Sequence, residues 1–176
     1  PEVPATRYLL GEVLFESQRY AEAAREYERT AYDYPLHAKS SAAGYAALIA
    51  YQKHEPSLTG ESKSLWHRQY IESSLMFATS FPEHQDSARV LTKSDEELFA
   101  LNEFDRVIEV SKQILDRNPP VERGFQRTAT TLLAHSLFDR QRYVEAEAAY
   151  VRAEGFLASN DPDRPAIEER IAASIY

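Results

Sequence analysis

A seven-position motif occurs twice in the chain and constrains its fold more than any other feature. The first copy is residues 18–23 with Tyr27, and the second is residues 141–146 with Tyr150. Six of the seven positions are identical, and in both copies the two tyrosines are seven residues apart. A weaker copy occupies residues 102–107. Internal similarity of this kind is typical of a fold built from similar units stacked in a row.

Apolar side chains precede both strong copies at the spacing of an amphipathic helix. Those before the first copy are Tyr8, Leu9, Leu10, Val13 and Leu14, and those before the second are Leu132, Leu133, Leu137 and Phe138. A recurrence of three to five positions places such residues on one face of a helix. The composition agrees, because 24 alanines against 5 glycines favour close-packed helices over sheets with glycine-rich turns. We therefore predict an all-α fold.

The charge balance and the lack of cysteine exclude several classes of function. The chain has 20 Lys and Arg against 28 Asp and Glu, a net charge of −8 with neutral histidines. Basic residues supply most of the affinity for nucleic acids and for anionic membrane surfaces, so neither is an expected partner. With 0 cysteines, the chain has no disulfide, no thiolate zinc site and no cysteine nucleophile. No apolar run reaches the roughly 18 residues of a membrane-spanning helix, so we expect no membrane insertion.

The first strong copy and its flanks resemble a known helical repeat, the tetratricopeptide repeat (TPR), a helix-turn-helix unit of about 34 residues. The matching positions are Leu10, Gly11, Leu14, Tyr20, Ala23, Tyr27 and Pro35. The last full copy is similar through Leu133, Ala134, Leu137, Tyr143, Ala146, Tyr150 and Ala153, with Ala158 where proline is usual. The resemblance implies an α-solenoid of antiparallel helix pairs (a TPR superhelix). Small residues then lie where two helices approach closely, and aromatic residues fill the gap to the neighbouring repeat.

The resemblance divides the chain into about four units and a half unit. Their approximate limits are residues 5–35, 37–82, 84–119 and 121–158, followed by a partial unit at 163–176. The third unit has Asp95 where a small residue is expected. Pro35 and Pro82 are 47 residues apart, so the second unit is long and is predicted to contain helices at 37–54 and 62–80. Because a lone half unit exposes its apolar face, we expect the chain to be part of a longer protein.

No arrangement of residues in the sequence predicts catalysis. The five histidines are His37, His54, His67, His84 and His135, and no two of them have the spacing of a helical zinc site. Residues 59–64 do not match a phosphate-binding loop, because Ser57 and Ser62 stand where that motif has glycine, and we interpret them as a loop whose Ser62 caps the next helix. Residues 160–163 lack the glycine and the distal glutamate of a calcium loop, and we interpret them as a turn with a helix cap. We therefore predict that the protein is not an enzyme and binds no metal and no cofactor.

In TPR proteins the first helix of each unit lines a concave groove, and we expect a partner to bind there. The ten residues predicted to form this site are Tyr8, Glu12, Phe15, Tyr45, Arg89, Lys93, Phe99, His135, Phe138 and Asp139. Further candidates on the same helices are Leu9, Glu16, Ser41, Ala42, Leu48, Thr92, Glu96, Thr128, Thr131 and Leu132. Phe15, Phe99 and Phe138 recur at matching places. They form either an aromatic ladder along the groove or the packing between successive first helices.

One binding mode of the family is not expected here. Chaperone-binding TPR proteins hold a peptide carboxylate with Lys, Asn and Arg side chains. The matching positions in this chain are Tyr8, Glu12, Ala42, Arg89 and Lys93. Only the last two are basic, and Glu12 would repel a carboxylate. We therefore predict that the chain has no carboxylate clamp.

The leading hypothesis is a non-catalytic protein–protein interaction scaffold that binds a peptide or a partner protein in the groove. A second hypothesis is a structural spacer or self-association arm within a larger assembly, with a contact formed by Trp66, Tyr70, Leu75, Met76 and Phe77. A third is an array that recruits substrate for a larger enzyme. Resemblance to long bacterial envelope proteins with such repeats points to the periplasm or the cell envelope.

Overall fold

The computed structural model describes residues 3–175, and within that range the protein is all-α. Nine α-helices and one short 3-10 helix follow one another, with no strand among the described residues. The helices are α1 (Pro4–Glu16), α2 (Tyr20–Tyr32), α3 (Ser40–His54), α4 (Gly60–Ser80), α5 (Ser87–Ala100), α6 (Phe104–Leu115), α7 (Arg123–Asp139), α8 (Tyr143–Glu154) and α9 (Arg164–Ser174), and the 3-10 helix is Glu55–Ser57. None of these helices combines the length and the apolar character that crossing a membrane requires. The prediction of an all-α fold is confirmed.

Helices that follow one another in the chain pack side by side. The chain divides into two compact units, one ending at Ser87 and the other beginning at Ala88. In the first unit α2 packs on α1 and α3, and α3 packs on α4. In the second unit α7 packs on α6 and α8, and α8 packs on α9. The core of each unit therefore lies between consecutive helices.

The hairpins α1–α2, α5–α6 and α7–α8 turn in the same way. Each turn contains one residue in the left-handed conformation, namely Gln18, Asn102 and Gln141, with φ of 60°, 59° and 58°. The next residue donates its N–H to the carbonyl five positions earlier: Arg19 to Leu14 at 2.9 Å, Glu103 to Leu98 at 3.0 Å, and Arg142 to Leu137 at 2.9 Å. This Schellman arrangement satisfies carbonyls at the end of the first helix. The weak third copy of the motif thus makes the same turn as the two strong ones.

An aromatic pair spans each of these three turns. The ring at the end of the first helix meets the ring that opens the second helix edge-on. The pairs are Phe15 with Tyr20 at 5.1 Å, Phe99 with Phe104 at 5.6 Å, and Phe138 with Tyr143 at 5.3 Å between centroids. Such pairs add about 0.5–1.5 kcal/mol to the burial of the rings. Each recurring phenylalanine therefore packs on the ring that opens the second helix of its own hairpin, and Phe99 also contacts His135 on α7, the next first helix.

A close approach of the two helices stabilises the first hairpin. Gly11 is buried, and a Cβ atom there would lie 2.7 Å from the ring of Tyr27. The small residue at Gly11 was attributed to a close approach of two helices, with aromatic residues filling the gap to the neighbouring repeat. The atoms nearest to Gly11 instead belong to the Tyr27 ring, which comes from the second helix of the same hairpin. In the hairpin α7–α8 the matching pair is Ala134 and Tyr150, both wholly buried.

Two expected helix caps are wrong. The helix predicted from Ser62 begins two residues earlier, at Gly60, so Ser62 lies within α4 and caps nothing. Thr59 occupies the cap position, but its side chain makes no hydrogen bond to the helix. The helix can begin here because Gly60 adopts the left-handed conformation, with φ of 56°. Residues 160–163 do form a turn, in which Asp161 accepts the N–H of Asp163 at 3.0 Å, but Asp163 makes no cap bond to α9.

Candidate functional site

The ten predicted site residues lie on α1, α3, α5 and α7, the helices expected to line the groove. Those of the first unit are Tyr8, Glu12, Phe15 and Tyr45, and those of the second are Arg89, Lys93, Phe99, His135, Phe138 and Asp139. All six candidates of the second compact unit, which begins at Ala88, line one of two pockets. The four of the first unit lie on α1 and α3, where Tyr8, Phe15 and Tyr45 take part in ring packing.

The first pocket of the second unit has ring-bearing walls and a volume of about 260 Å³. We call it the aromatic pocket, and its lining residues are Phe99, His135, Phe138, Asp139, Tyr150 and Arg170. These side chains come from α5, α7, α8 and α9. Four of them were predicted from the sequence. Tyr150 and Arg170 were not, because nothing in the repeat pattern shows that α8 and α9 contribute to the same pocket.

A hydrogen bond between His135 and the buried Tyr150 forms part of this pocket. His135 Nδ1 lies 2.8 Å from the Tyr150 hydroxyl. Burial raises the pKa of Tyr150 to about 12, and burial, assisted by the charge of Arg170, lowers the pKa of His135. Both groups are therefore neutral near pH 7. Among the described residues, Nδ1 is the only hydrogen-bond partner of the buried Tyr150 hydroxyl, so we assign the hydroxyl as the donor and Nδ1 as the acceptor. The ring proton of His135 then lies on Nε2, which is a hydrogen-bond donor.

Arg170 places a positive charge at the aromatic pocket. Its guanidinium carbon lies 4.8 Å from the centroid of the Phe138 ring, within the range of a cation–π contact. Among residues 3–175, no carboxylate lies in ion-pair range of Arg170. Asp139 is exposed on the rim of the same pocket. The pocket thus combines ring surfaces with one charge of each sign.

The second pocket of this unit, the mixed-charge pocket, has a volume of about 310 Å³. Its lining residues are Arg89, Thr92, Lys93, Glu96, Glu122, Gly124, Phe125 and Thr128. Lys93 Nζ lies 3.3 Å from a carboxylate oxygen of Glu96 and 3.3 Å from one of Glu97. Two carboxylates of its own helix therefore share the ammonium group of Lys93, which weakens its attraction for an acidic group of a partner.

In the first compact unit, which ends at Ser87, several candidate side chains pack against other residues of the protein. Tyr8 lies against Tyr27 with ring centroids 5.6 Å apart, and Tyr45 stacks on His84 at 5.3 Å. Leu48 is buried and presents no surface to a partner, so its inclusion among the further candidates is wrong. Its side chain lies in the core because the face of α3 that packs inward includes position 48.

A large cleft of the first unit was not predicted. This α2–α4 cleft has a volume of about 1260 Å³. Buried Leu14 and Tyr51 lie at its base, while Leu65 and Met76 on α4 line it with 56% and 50% of their surface exposed. Charged residues of α2 and α4 complete the lining, among them Arg19, Glu22, Arg25, Glu28, Arg29, Asp33, Arg68 and Glu72. The signals in the sequence were the unusual length of the repeat at residues 37–82 and the contact predicted on its long helix, of which Trp66 and Met76 line the cleft.

The residues expected to form a contact on this long helix divide into two groups. Met76 is half-exposed, whereas Phe77 is wholly buried and cannot belong to a surface patch. Trp66 is half-buried, and its Nε1 donates to the Tyr51 carbonyl at 2.9 Å. The indole of Trp66 therefore serves mainly to join α3 and α4.

A buried carboxylate on α5 has an unusual environment. Asp95 is wholly buried, and its Oδ1 has no hydrogen-bond partner. Burial raises the pKa of Asp95 to about 7. The residue lies in the hairpin core between α5 and α6, where its hydrogen-bond partner is Ser111.

Among residues 3–175, no three His, Cys, Asp or Glu side chains come together as a metal site would require. Comparison with protein families and with curated proteins found no match to this chain.

Proposed function

We propose that this chain is part of a TPR-type superhelix and acts as a non-catalytic interaction scaffold that binds a peptide or an extended segment of a partner protein. The gathering of all six second-unit candidates at two pockets on α5 and α7 supports this proposal most directly. The three equivalent hairpin turns support the repeat architecture, because α1–α2, α5–α6 and α7–α8 each pass from the first helix to the second in the same way.

The size of the two pockets favours side chains over a small-molecule ligand. Their volumes of about 260 and 310 Å³ lie at or below the lower end of the range of about 300–1,000 Å³ for ligand sites. A partner segment that placed one large side chain in each pocket would use both. Rings and arginines of the kind found here are enriched among the residues that dominate binding energy.

Affinity capture from native extract tests this function. We would compare the wild type with a Lys93→Glu, Phe138→Ala variant, which alters one residue in each pocket. The matched control is Lys112→Glu, Val144→Ala, because both of its residues are exposed and lie outside the two pockets. Circular dichroism confirms that each variant is folded.

We expect one partner to be enriched by the wild type and the control and lost by the pocket variant, and purified partner to bind the purified chain with the same ranking. Equal capture by all three chains would refute the proposal.

The α2–α4 cleft favours a second candidate, a self-association arm, because Leu65 and Met76 expose large apolar surfaces there. Light scattering tests it on Leu65→Asp, Met76→Asp, with Val144→Asp as control because Val144 is 81% exposed on α8. A stable dimer that only the cleft variant dissociates would support this candidate, and a monomeric wild type would contradict it. Trp66→Asp is unsuitable, since it removes the bond to Tyr51 that joins α3 and α4.

A further inference from the structure

We propose that the aromatic pocket is an anchor site for one aromatic side chain of the partner segment, and that an acidic residue next to this side chain pairs with Arg170. This inference rests on the proposed function and specifies the chemistry of the partner.

The ring surfaces of the pocket define the first half of the partner motif. Phe99 and His135 lie with their centroids 6.1 Å apart, and the half-buried Phe138 lines the same pocket. An aromatic guest gains edge-to-face and offset contacts with such walls beyond the burial of its area, whereas an aliphatic guest gains burial alone. A volume of about 260 Å³ limits the guest to a single large side chain.

The hydrogen-bond donors of the pocket define the second half of the partner motif, the acidic residue. The guanidinium of Arg170 has no carboxylate in ion-pair range among residues 3–175. His135 adds a donor at Nε2, because its Nδ1 already accepts the Tyr150 hydroxyl. Two donors beside ring surfaces suit a carboxylate, and arginine binds carboxylates with two parallel hydrogen bonds.

A cationic guest fits this pocket less well. Aromatic walls with a nearby Asp139 would otherwise suit a lysine or arginine side chain. However, the guanidinium of Arg170 already covers the Phe138 ring at 4.8 Å, so a second cation would meet a like charge there. Asp139 is exposed on the rim, where it can accept a backbone N–H of the partner segment.

The motif is tested by nuclear magnetic resonance titration of the labelled chain with three capped dipeptides: acetyl-Phe-Asp-amide, acetyl-Phe-Lys-amide and acetyl-Ala-Asp-amide. We expect saturable shifts of the His135 ring signals with the first peptide. Its affinity should exceed that of the Phe-Lys peptide about two- to five-fold, the range of a solvent-exposed ion pair. The Ala-Asp peptide should show no saturation.

Two variants identify the residues responsible. Arg170→Gln should abolish the preference for Asp over Lys, while Phe138→Ala should remove binding of both phenylalanine peptides. The control is Arg152→Gln, an exposed arginine on α8 outside the pocket, which should leave all affinities unchanged. Circular dichroism again verifies the fold.

Absence of saturable His135 shifts, or equal or tighter binding of the Phe-Lys peptide, would overturn this inference. If the capture experiment still depended on Lys93 and Phe138, the proposed function would stand and only the aromatic–acidic motif would fall. If the capture experiment also showed no such dependence, both would fall.

Discussion

The hydroxyl of Ser111 donates a hydrogen bond of 2.6 Å to Oδ2 of Asp95 inside the hairpin α5–α6. These two residues are sixteen positions apart, as are Gly11 and Tyr27 in α1–α2 and Ala134 and Tyr150 in α7–α8. In the hairpin α5–α6, the hydrogen-bonded pair Asp95 and Ser111 thus stands where the other two hairpins have a small residue and a tyrosine. Because Oδ1 has no partner, burial of the charged carboxylate is unfavourable.

Asp95 should make the protein less stable as the pH rises. Its pKa is raised from 3.8 to about 7 in the folded state, so the folded protein holds this proton more strongly than the unfolded chain does. That stabilising contribution is complete below about pH 4 and is lost as the pH rises to about 7. We expect Asp95→Asn to be equally or less stable at pH 4 and more stable than wild type at pH 8. The relative gain should be on the order of 3–4 kcal/mol, at about 1.4 kcal/mol per pH unit.

Urea unfolding at several pH values between 4 and 8 measures this difference. The control is Asp116→Asn, which neutralises an exposed carboxylate after α6. Parallel pH profiles for Asp95→Asn and the wild type would contradict the prediction.

Gly11→Ala should destabilise the first hairpin. The added methyl group would lie 2.7 Å from the Tyr27 ring, so that ring or the helix must move. Overpacking of this kind costs about 1–3 kcal/mol. Thermal unfolding of Gly11→Ala is compared with that of Gly124→Ala, where nothing lies within 4 Å of the new atom. We expect Gly124→Ala to be neutral or stabilising by up to about 1 kcal/mol. Equal effects of the two changes would show that Tyr27 does not press on Gly11.

The left-handed turn residues should tolerate glycine and reject β-branched side chains. At φ near 60°, Gln18→Val is expected to lower the free energy of unfolding by about 1–2 kcal/mol, whereas Gln18→Gly should be neutral or mildly stabilising. The same pair of changes at Gln141 should give the same ranking, because both turns share one geometry. Chemical unfolding measures the effects, with Gln113→Val on exposed helix surface as control. A harmless Gln18→Val would refute the assigned turn.

A peptide ending in Glu-Glu-Val-Asp should not bind this chain. Lys93 is already engaged by Glu96 and Glu97, and Glu12 adds an acidic group on α1. Fluorescence anisotropy of a labelled peptide measures the affinity, with a chaperone-binding TPR protein as positive control. Saturable binding in the micromolar range would show that the predicted absence of a carboxylate clamp is wrong.

The sequence predicted the helices well because the repeat motif marks their ends. Gln18 and Gln141 precede the tyrosines that open α2 and α8, and the weaker copy locates Asn102 in the same role. Caps were predicted less well: Ser62 is a favoured cap residue, yet the left-handed Gly60 lets α4 begin earlier. The preference of a residue type for the cap position predicts the start of a helix poorly where a nearby glycine can adopt the left-handed conformation.

The sites were predicted only in part because they depend on contacts between distant residues. Repeat positions located Phe99, His135 and Phe138, but the contribution of Arg170 follows from the packing of α9 on α8. The α2–α4 cleft likewise reflects how a helix of 21 residues lies beside α2, which periodicity does not determine.

The aromatic pairs and the close approach of Gly11 to Tyr27 join residues only five and sixteen positions apart in the chain. Little loop entropy is lost when such contacts form, and proteins dominated by them fold in microseconds to milliseconds. Each hairpin can therefore form during synthesis as soon as its own residues have emerged. For the same reason, we expect one hairpin to be able to open transiently while others keep their structure, so that the protein samples partly open states below its global unfolding transition.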